Sequence, residues 1–263
     1  MKLQNILILV MGCAALTPTV AQAESGFIPR ASIAISQYQL TQDARPNSGV
    51  DFPELDFNVV FNMLGVGGTF YKDKYYMDIF LQHSDNQVDI FDENVGGLRV
   101  FEQFKGDRKD GAITFGMKVL DFRGSVYGGY KVGISEAAGD SQTTLRFEES
   151  GFFLGGNYSW AIGKGNLTVN IAVAQLDGKL EEKAPLAGAA LGVNLDLDAD
   201  SQATGVSYGV AWSAPISEKL TYSFSVDANS YTFDDVKDDA ANDPPDELEE
   251  KFITAKLSFS YHF

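Results

Sequence analysis

Apolar and polar residues alternate along most of this chain with a period of two, which gives each extended segment one apolar face and one polar face. Ten such runs can be followed, and each is long enough for a tilted strand that crosses a membrane, which needs about 9–11 residues. The runs are Phe27–Tyr38, Leu55–Tyr71, Tyr75–Ser84, Gly111–Leu120, Gly124–Ser135, Gly151–Ile162, Leu167–Leu176, Ala203–Ala214, Leu220–Tyr231 and Phe252–Phe263.

The connections between these runs alternate between short and long. Residues 72–74, 121–123, 163–166 and 215–219 form short turns, and longer polar segments join the other runs. Transmembrane barrels have short periplasmic turns and long external loops. The pattern therefore predicts an all-β fold, a single antiparallel transmembrane β-barrel with ten strands, with eight or twelve strands as alternatives. An even count places both termini in the periplasm, and the long acidic loops outside the cell.

The beginning of the chain has the three parts of an export signal. Lys2 is followed by an apolar run over residues 6–11, and Ala21 and Ala23 have the small-x-small spacing of a signal-peptidase site. We therefore predict a signal peptide at residues 1–23 and a barrel domain at residues 24–263. A weak lipobox ending at Cys13 leaves a lipoprotein as the alternative. Cleavage after Ala23 would leave a chain without cysteine and hence without disulfides.

The last run ends on an aromatic residue. Phe259, Tyr261 and Phe263 lie on its apolar face, and Phe263 is the final residue. This run resembles the C-terminal strand of Gram-negative outer-membrane β-barrel proteins, in which a terminal Phe is recognised by the assembly machinery. The resemblance implies a location in the cell outer membrane. It also implies contacts with the outer-membrane assembly machinery, outer-membrane lipid and lipopolysaccharide.

The chain is strongly acidic, with a formal net charge of −16. A basic nucleic-acid-binding surface is therefore excluded. The acidic residues concentrate between the runs, most of all in Thr232–Glu250, which we expect to be an external loop that does not carry the fold. Asp196, Asp198 and Asp200 share one face of an extended segment and form a weak candidate site for divalent cations. No cofactor is predicted.

Charged residues also occur within the runs, at positions whose parity points into the barrel. Ionisable side chains at membrane depth are costly unless they face water or protein. Two cross-strand ion pairs are predicted among them, Asp227–Lys256 and Asp78–Lys118. The same parity argument places Phe57, Val59, Phe61 and Met63 on the lipid-facing side of their run. The predicted lumen charges are Arg30, Asp56, Asp78, Lys118, Lys131, Asp227 and Lys256.

Three functions fit these features. The first is a narrow, passive, porin-like pore for small solutes, which small inward residues such as Gly205, Ser207 and Gly209 favour. The second is a structural or adhesin-like surface barrel with a plugged lumen. The third, an enzyme at the external rim, has little support, because His83 and Ser84 are strand neighbours on opposite faces and no nucleophile is identifiable. We therefore expect no enzymatic activity.

Overall fold

The computed structural model describes residues 25–42, 55–85, 87–95, 98–139, 142–183, 185, 196–238 and 247–263, without the side chains of residues 55, 56, 88–95, 98–102, 235 and 238. None of the helices in this part of the chain has the length and apolar character needed to cross a membrane. Its strands are β1 (Ser25–Gln42), β2 (Leu55–Lys72), β3 (Tyr75–Ser84), β4 (Gln87–Val95), β5 (Leu98–Val119), β6 (Gly124–Gly139), β7 (Thr144–Ile162), β8 (Gly165–Lys183), β9 (Leu197–Pro215), β10 (Leu220–Asp238) and β11 (Leu248–Tyr261).

The strands form one closed antiparallel barrel. Neighbours along the chain pair with one another except for β3 and β4. In addition, β3 pairs with β5, and β1 pairs with β11 to complete the ring. The extra strand, β4, continues the line of β3 and pairs with the other half of β5: His83 lies opposite Lys109, and Gln87 lies opposite Gly106. The prediction of a ten-stranded barrel is confirmed, with β4 as an addition.

Short turns join the strands at one end of the barrel. Asp73 and Gly163 adopt positive φ angles of 52° and 57°, as two-residue hairpin turns require. The four short connections lie where the alternation of loop lengths predicts them. We call this end of the barrel the turn end and the opposite end the loop end. Ser25, which pairs with Lys72, and Tyr261, which pairs with Leu220, both lie at the turn end.

Most strands extend further toward the loop end than the alternating runs predicted. The run beginning at Gly111 is part of β5, which has 22 residues. The segment Thr232–Glu250 is not wholly outside the fold, because β10 continues to Asp238 and β11 begins at Leu248. Strands of 18 to 22 residues exceed the 9–11 residues or so that cross a bilayer. The barrel wall therefore extends well beyond the membrane at its loop end.

The two faces of the wall exchange polarity along the strands. Near the turn end of β8, Val169 and Ile171 are exposed on the outer face, and Asn170 is buried inside. Further toward the loop end, Asp177 is exposed outside and Leu180 is buried inside. The first arrangement suits lipid around a polar interior, and the second is that of a water-soluble protein with an apolar core.

This exchange corrects the predicted faces of β2. Phe57, Val59, Phe61 and Met63 point into the barrel, where the last three are buried, and Val60 and Leu64 are exposed on the outer face. The prediction was wrong because both faces of this run carry apolar residues. Its loop-end half packs an apolar core inward, whereas its turn-end half presents apolar residues outward.

Candidate functional site: the lumen of the barrel

The turn-end part of the lumen contains a network around Asp78. Arg30 Nη2 donates to Asp78 Oδ2 at 3.0 Å, and Thr69 Oγ1 donates to Oδ1 at 2.5 Å. Both carboxylate oxygens are thereby engaged, so Arg30 is the principal partner of Asp78. The predicted partner, Lys118, has its Nζ 5.7 Å from the centre of the Tyr76 ring. Arg30 and Asp78 face the lumen, as their parity indicated.

Asp227 and Lys256 also lie inside the barrel, on the neighbouring strands β10 and β11. Asp227 pairs with Thr254, and Lys256 pairs with Ser225, so the two charged residues are diagonal neighbours across the ladder. Ser225 Oγ donates to Asp227 Oδ2 at 2.8 Å, and the Lys256 charge attracts the Asp227 carboxyl group. The structure brings together the two residues that the sequence placed at the same height.

A cavity of about 100 Å³, lined mostly by apolar surface with some polar and charged groups, lies in the middle of the lumen. Both amide and charged side chains contact the cavity, together with aromatic rings. Among the residues that line it are Asp78, Phe80, Asn170, Asn229, Tyr231 and Lys256.

A cluster of five ionisable side chains closes the cavity toward the loop end. Arg108 is at its centre: Nε donates to Asp110 at 2.8 Å, Nη2 to Glu149 at 2.7 Å and Nη1 to Glu250 at 3.1 Å. Lys131 Nζ lies 2.9 Å from the same Glu149 oxygen. All five residues are buried. We call Arg108, Asp110, Lys131, Glu149 and Glu250 the ionic cluster.

Only Lys131 of the ionic cluster was among the predicted lumen charges. Arg108 and Asp110 lie in the half of β5 that the sequence did not predict as strand, and Glu149 and Glu250 lie just outside the predicted runs. One signal in the sequence could have placed Arg108 and Asp110 inside the barrel. They alternate with Lys109, which is exposed, and this alternation continues that of the run beginning at Gly111.

An apolar cap fills the lumen between the ionic cluster and the loop end. Phe147 and Phe233 meet edge to face, with ring centres 5.0 Å apart. Side chains from five other strands pack into the same cluster, and most are almost completely buried. The cap consists of Leu40, Val59, Phe61, Phe147, Leu176, Leu180, Leu197, Phe233 and Leu248.

Glycines on the inner wall make room for these aromatic rings. A Cβ atom at Gly205 would lie 2.1 Å from Cδ1 of Tyr231, and one at Gly178 would lie 2.7 Å from Phe233. Gly205, one of the small inward residues that suggested an open pore, is therefore covered by the Tyr231 ring from the neighbouring strand.

The other predicted site residues are more peripheral. The side chain of Asp56 is outside the described part of the structure. Phe259, Tyr261 and Phe263 are exposed at the turn end. Asp198 pairs with Lys179 at 3.1 Å. In the described part of the chain, no group of three or more suitable side chains could hold a metal ion. This part of the structure therefore gives no support to the candidate site formed by Asp196, Asp198 and Asp200.

The outer wall near the loop end carries exposed ion pairs between neighbouring strands. Lys109 Nζ donates to Glu136 at 2.9 Å, and Arg146 binds both Glu136 and Glu148. The hydrogen bond between Lys109 and Glu136 raises the pKa of Lys109 and lowers the pKa of Glu136. A charged outer surface of this kind belongs in water or among lipid headgroups, not among acyl chains.

The closed barrel, its apolar outer belt and its polar interior are the features of a transmembrane β-barrel. Among solved structures, the outer membrane protease OmpT from Escherichia coli is similar, with a TM-score of 0.54 and 11% identity over 94% of this chain and 99% of that chain. The translocator domain of autotransporter NalP from Neisseria meningitidis matches with a TM-score of 0.48 and 13% identity, over 90% and 88%. No known sequence family and no curated protein matches the chain. These likenesses concern the fold alone.

Proposed function

We propose that this protein is a non-conducting outer-membrane barrel that presents a rigid surface outside the cell. The filled lumen carries the proposal. Proceeding from the turn end, the interior holds the Arg30–Asp78 pair, a cavity of about 100 Å³, the ionic cluster and the apolar cap. A pore for small solutes needs a continuous aqueous path, and barrels with so few strands have interiors that side chains fill.

The exposed wall at the loop end supports a role at the surface. Its charged pairs are fixed on paired strands, and the chain has a net charge of −16. An acidic surface held by a rigid scaffold suits basic partners, or anionic lipopolysaccharide bridged by divalent cations. In this proposal the loop end is external, and both termini are periplasmic.

Conductance measurements test the closed lumen. The refolded protein in a planar bilayer should show no stepwise current, once heat-modifiable gel mobility has established that it is folded. Tyr231→Ala removes a ring that lines the cavity, and Tyr222→Ala removes a ring of the same size from the outer-facing positions of the same strand. Any leak should appear only with Tyr231→Ala. Regular current steps from the wild-type protein would overturn the proposal in favour of a pore.

Cysteine labelling tests the orientation separately. Lys183→Cys places a thiol near the loop end, and Lys74→Cys places one in an exposed short turn. A membrane-impermeant maleimide should label Lys183→Cys on intact cells, and Lys74→Cys only after lysis. The reverse result would place the loop end in the periplasm.

A further inference from the structure

The ionic cluster does not balance in charge. It contains two basic groups, Arg108 and Lys131, and three carboxyl groups, Asp110, Glu149 and Glu250. If all five were ionised, one uncompensated negative charge would lie in the barrel interior. An uncompensated buried charge is strongly disfavoured, and such groups are usually neutralised.

Glu149 and Glu250 lie side by side. Their Oε1 atoms accept from the two Nη atoms of one planar guanidinium group, at 2.7 and 3.1 Å. The Oε2 atom of each is buried and has no hydrogen-bond partner in the described structure. Lys131 adds a second positive charge to Glu149 alone. Asp110 also accepts from Gln82 Nε2 at 2.8 Å. The negative charge of Glu250 is therefore the least stabilised of the three, because Arg108 is the donor that binds it and Glu250 shares that donor with the other two carboxyl groups.

The surroundings of the pair leave little room for another ion. The Phe252 and Tyr38 rings lie 4.0 and 5.2 Å from Arg108 Cζ. A Cβ atom at Gly133 would come within 2.6 Å of both Glu149 and Arg108. The charged and titratable groups that face the pair are Tyr38 on β1, Arg108 and Asp110 on β5, Lys131 on β6 and Tyr231 on β10.

We propose that Glu149 and Glu250 bind one proton between them, with the hydroxyl of protonated Glu250 donating to a Glu149 oxygen. This proton is taken from water when the barrel folds, and it returns to water when the pair ionises. The cluster then holds two positive and two negative charges. The resulting acid–carboxylate pair is a proton-binding site inside the barrel, and its existence does not depend on whether the barrel conducts.

Infrared spectroscopy of the refolded protein tests this site, because a protonated carboxyl group has a carbonyl stretch distinct from that of a carboxylate. The wild-type protein should show this band at neutral pH. Glu250→Gln should remove one protonated carboxyl group, because glutamine keeps the shape of the side chain but carries no acid. Asp227→Asn is the matched control: Asp227 is another fully buried acid, on a different strand, and its replacement should leave the band of the pair intact.

Stability measurements give a second readout. The wild-type denaturant midpoint should fall as the pH rises above about 4.3, where glutamates of the unfolded chain lose their protons, and it should level off at the alkaline pH where the band disappears. The midpoint of Glu250→Gln should change less over the same range. If Glu250→Gln does not fold, the titration of Asp227→Asn still tests the site, because that variant lacks the other fully buried acid. The proposal is overturned if folded wild type and Glu250→Gln have the same protonated-carboxyl signal. It is also overturned if sodium, in place of a proton, is needed for stability.

Discussion

Replacing Phe147 by alanine should strongly destabilise the barrel, because its ring is completely buried in the apolar cap against Phe233. A buried aromatic side chain removes at least about 150 Å² from water, which at about 25 cal/mol per Å² is worth about 4 kcal/mol. The loss of the edge-to-face contact adds about 0.5–1.5 kcal/mol. We therefore expect a loss of about 4–5 kcal/mol, similar to other large-to-small changes in cores.

Phe152 provides a matched control on the same strand. Its side chain is 72% exposed on the outer face of the wall, against 0% for Phe147, so it packs against much less of the protein and its truncation should cost less than that of Phe147. The assay is reversible urea unfolding in lipid vesicles, followed by tryptophan fluorescence. Equal losses for the two variants, or a larger loss for Phe152→Ala, would refute a water-excluding core at the loop end.

Three further predictions concern the cluster, the outer wall and assembly. Arg108→Met should lower the free energy of unfolding by about 3–5 kcal/mol, because it leaves buried carboxyl groups without their cation. Urea unfolding measures this loss, and a value below about 1 kcal/mol would contradict the buried network. Glu136→Gln should cost less than about 1 kcal/mol at pH 7. The pKa of Glu136 is lowered in the folded state, so its contribution is present above the unfolded pKa and is lost as the pH falls through the folded value. The difference in melting temperature from the wild type should therefore disappear at acidic pH and in high salt; a difference that persists in acid would argue against this pair. Deletion of Phe263 should reduce the amount of heat-modifiable barrel in outer-membrane fractions, and unchanged levels would show that the terminal ring is not required for assembly.

The sequence was most informative about the turn-end half of the barrel. There the outer face meets lipid and the inner face meets a polar interior. Apolar and polar residues therefore alternate clearly, as Val169 and Asn170 do on β8. The short turns were predictable for a separate reason, because Asp73 and Gly163 suit positive φ angles. These local signals fix strand number and order without any knowledge of tertiary contacts.

The loop-end half was harder to predict because the environments of the two faces differ from those at membrane depth. Around Arg108, the outer face meets water and the inner face meets other charged groups, so the segment Asp107–Asp110 is polar on both sides and resembles a loop. The ionic cluster joins residues as distant as Arg108 and Glu250, 142 positions apart. Their contact depends on closure of the whole ring, which no local pattern specifies.

The exchange of polarity along the wall also fixes how deeply the protein sits in the bilayer. A displacement of two residues along strands tilted by about 40° shifts the barrel by about 5 Å. If the barrel sank by that distance, Lys109, Glu136 and Arg146 would approach the acyl chains, and if it rose, Ile35 and Val173 would enter water. Both movements are opposed, so the boundary between the two parts of the wall holds the charged rim at a constant height above the membrane.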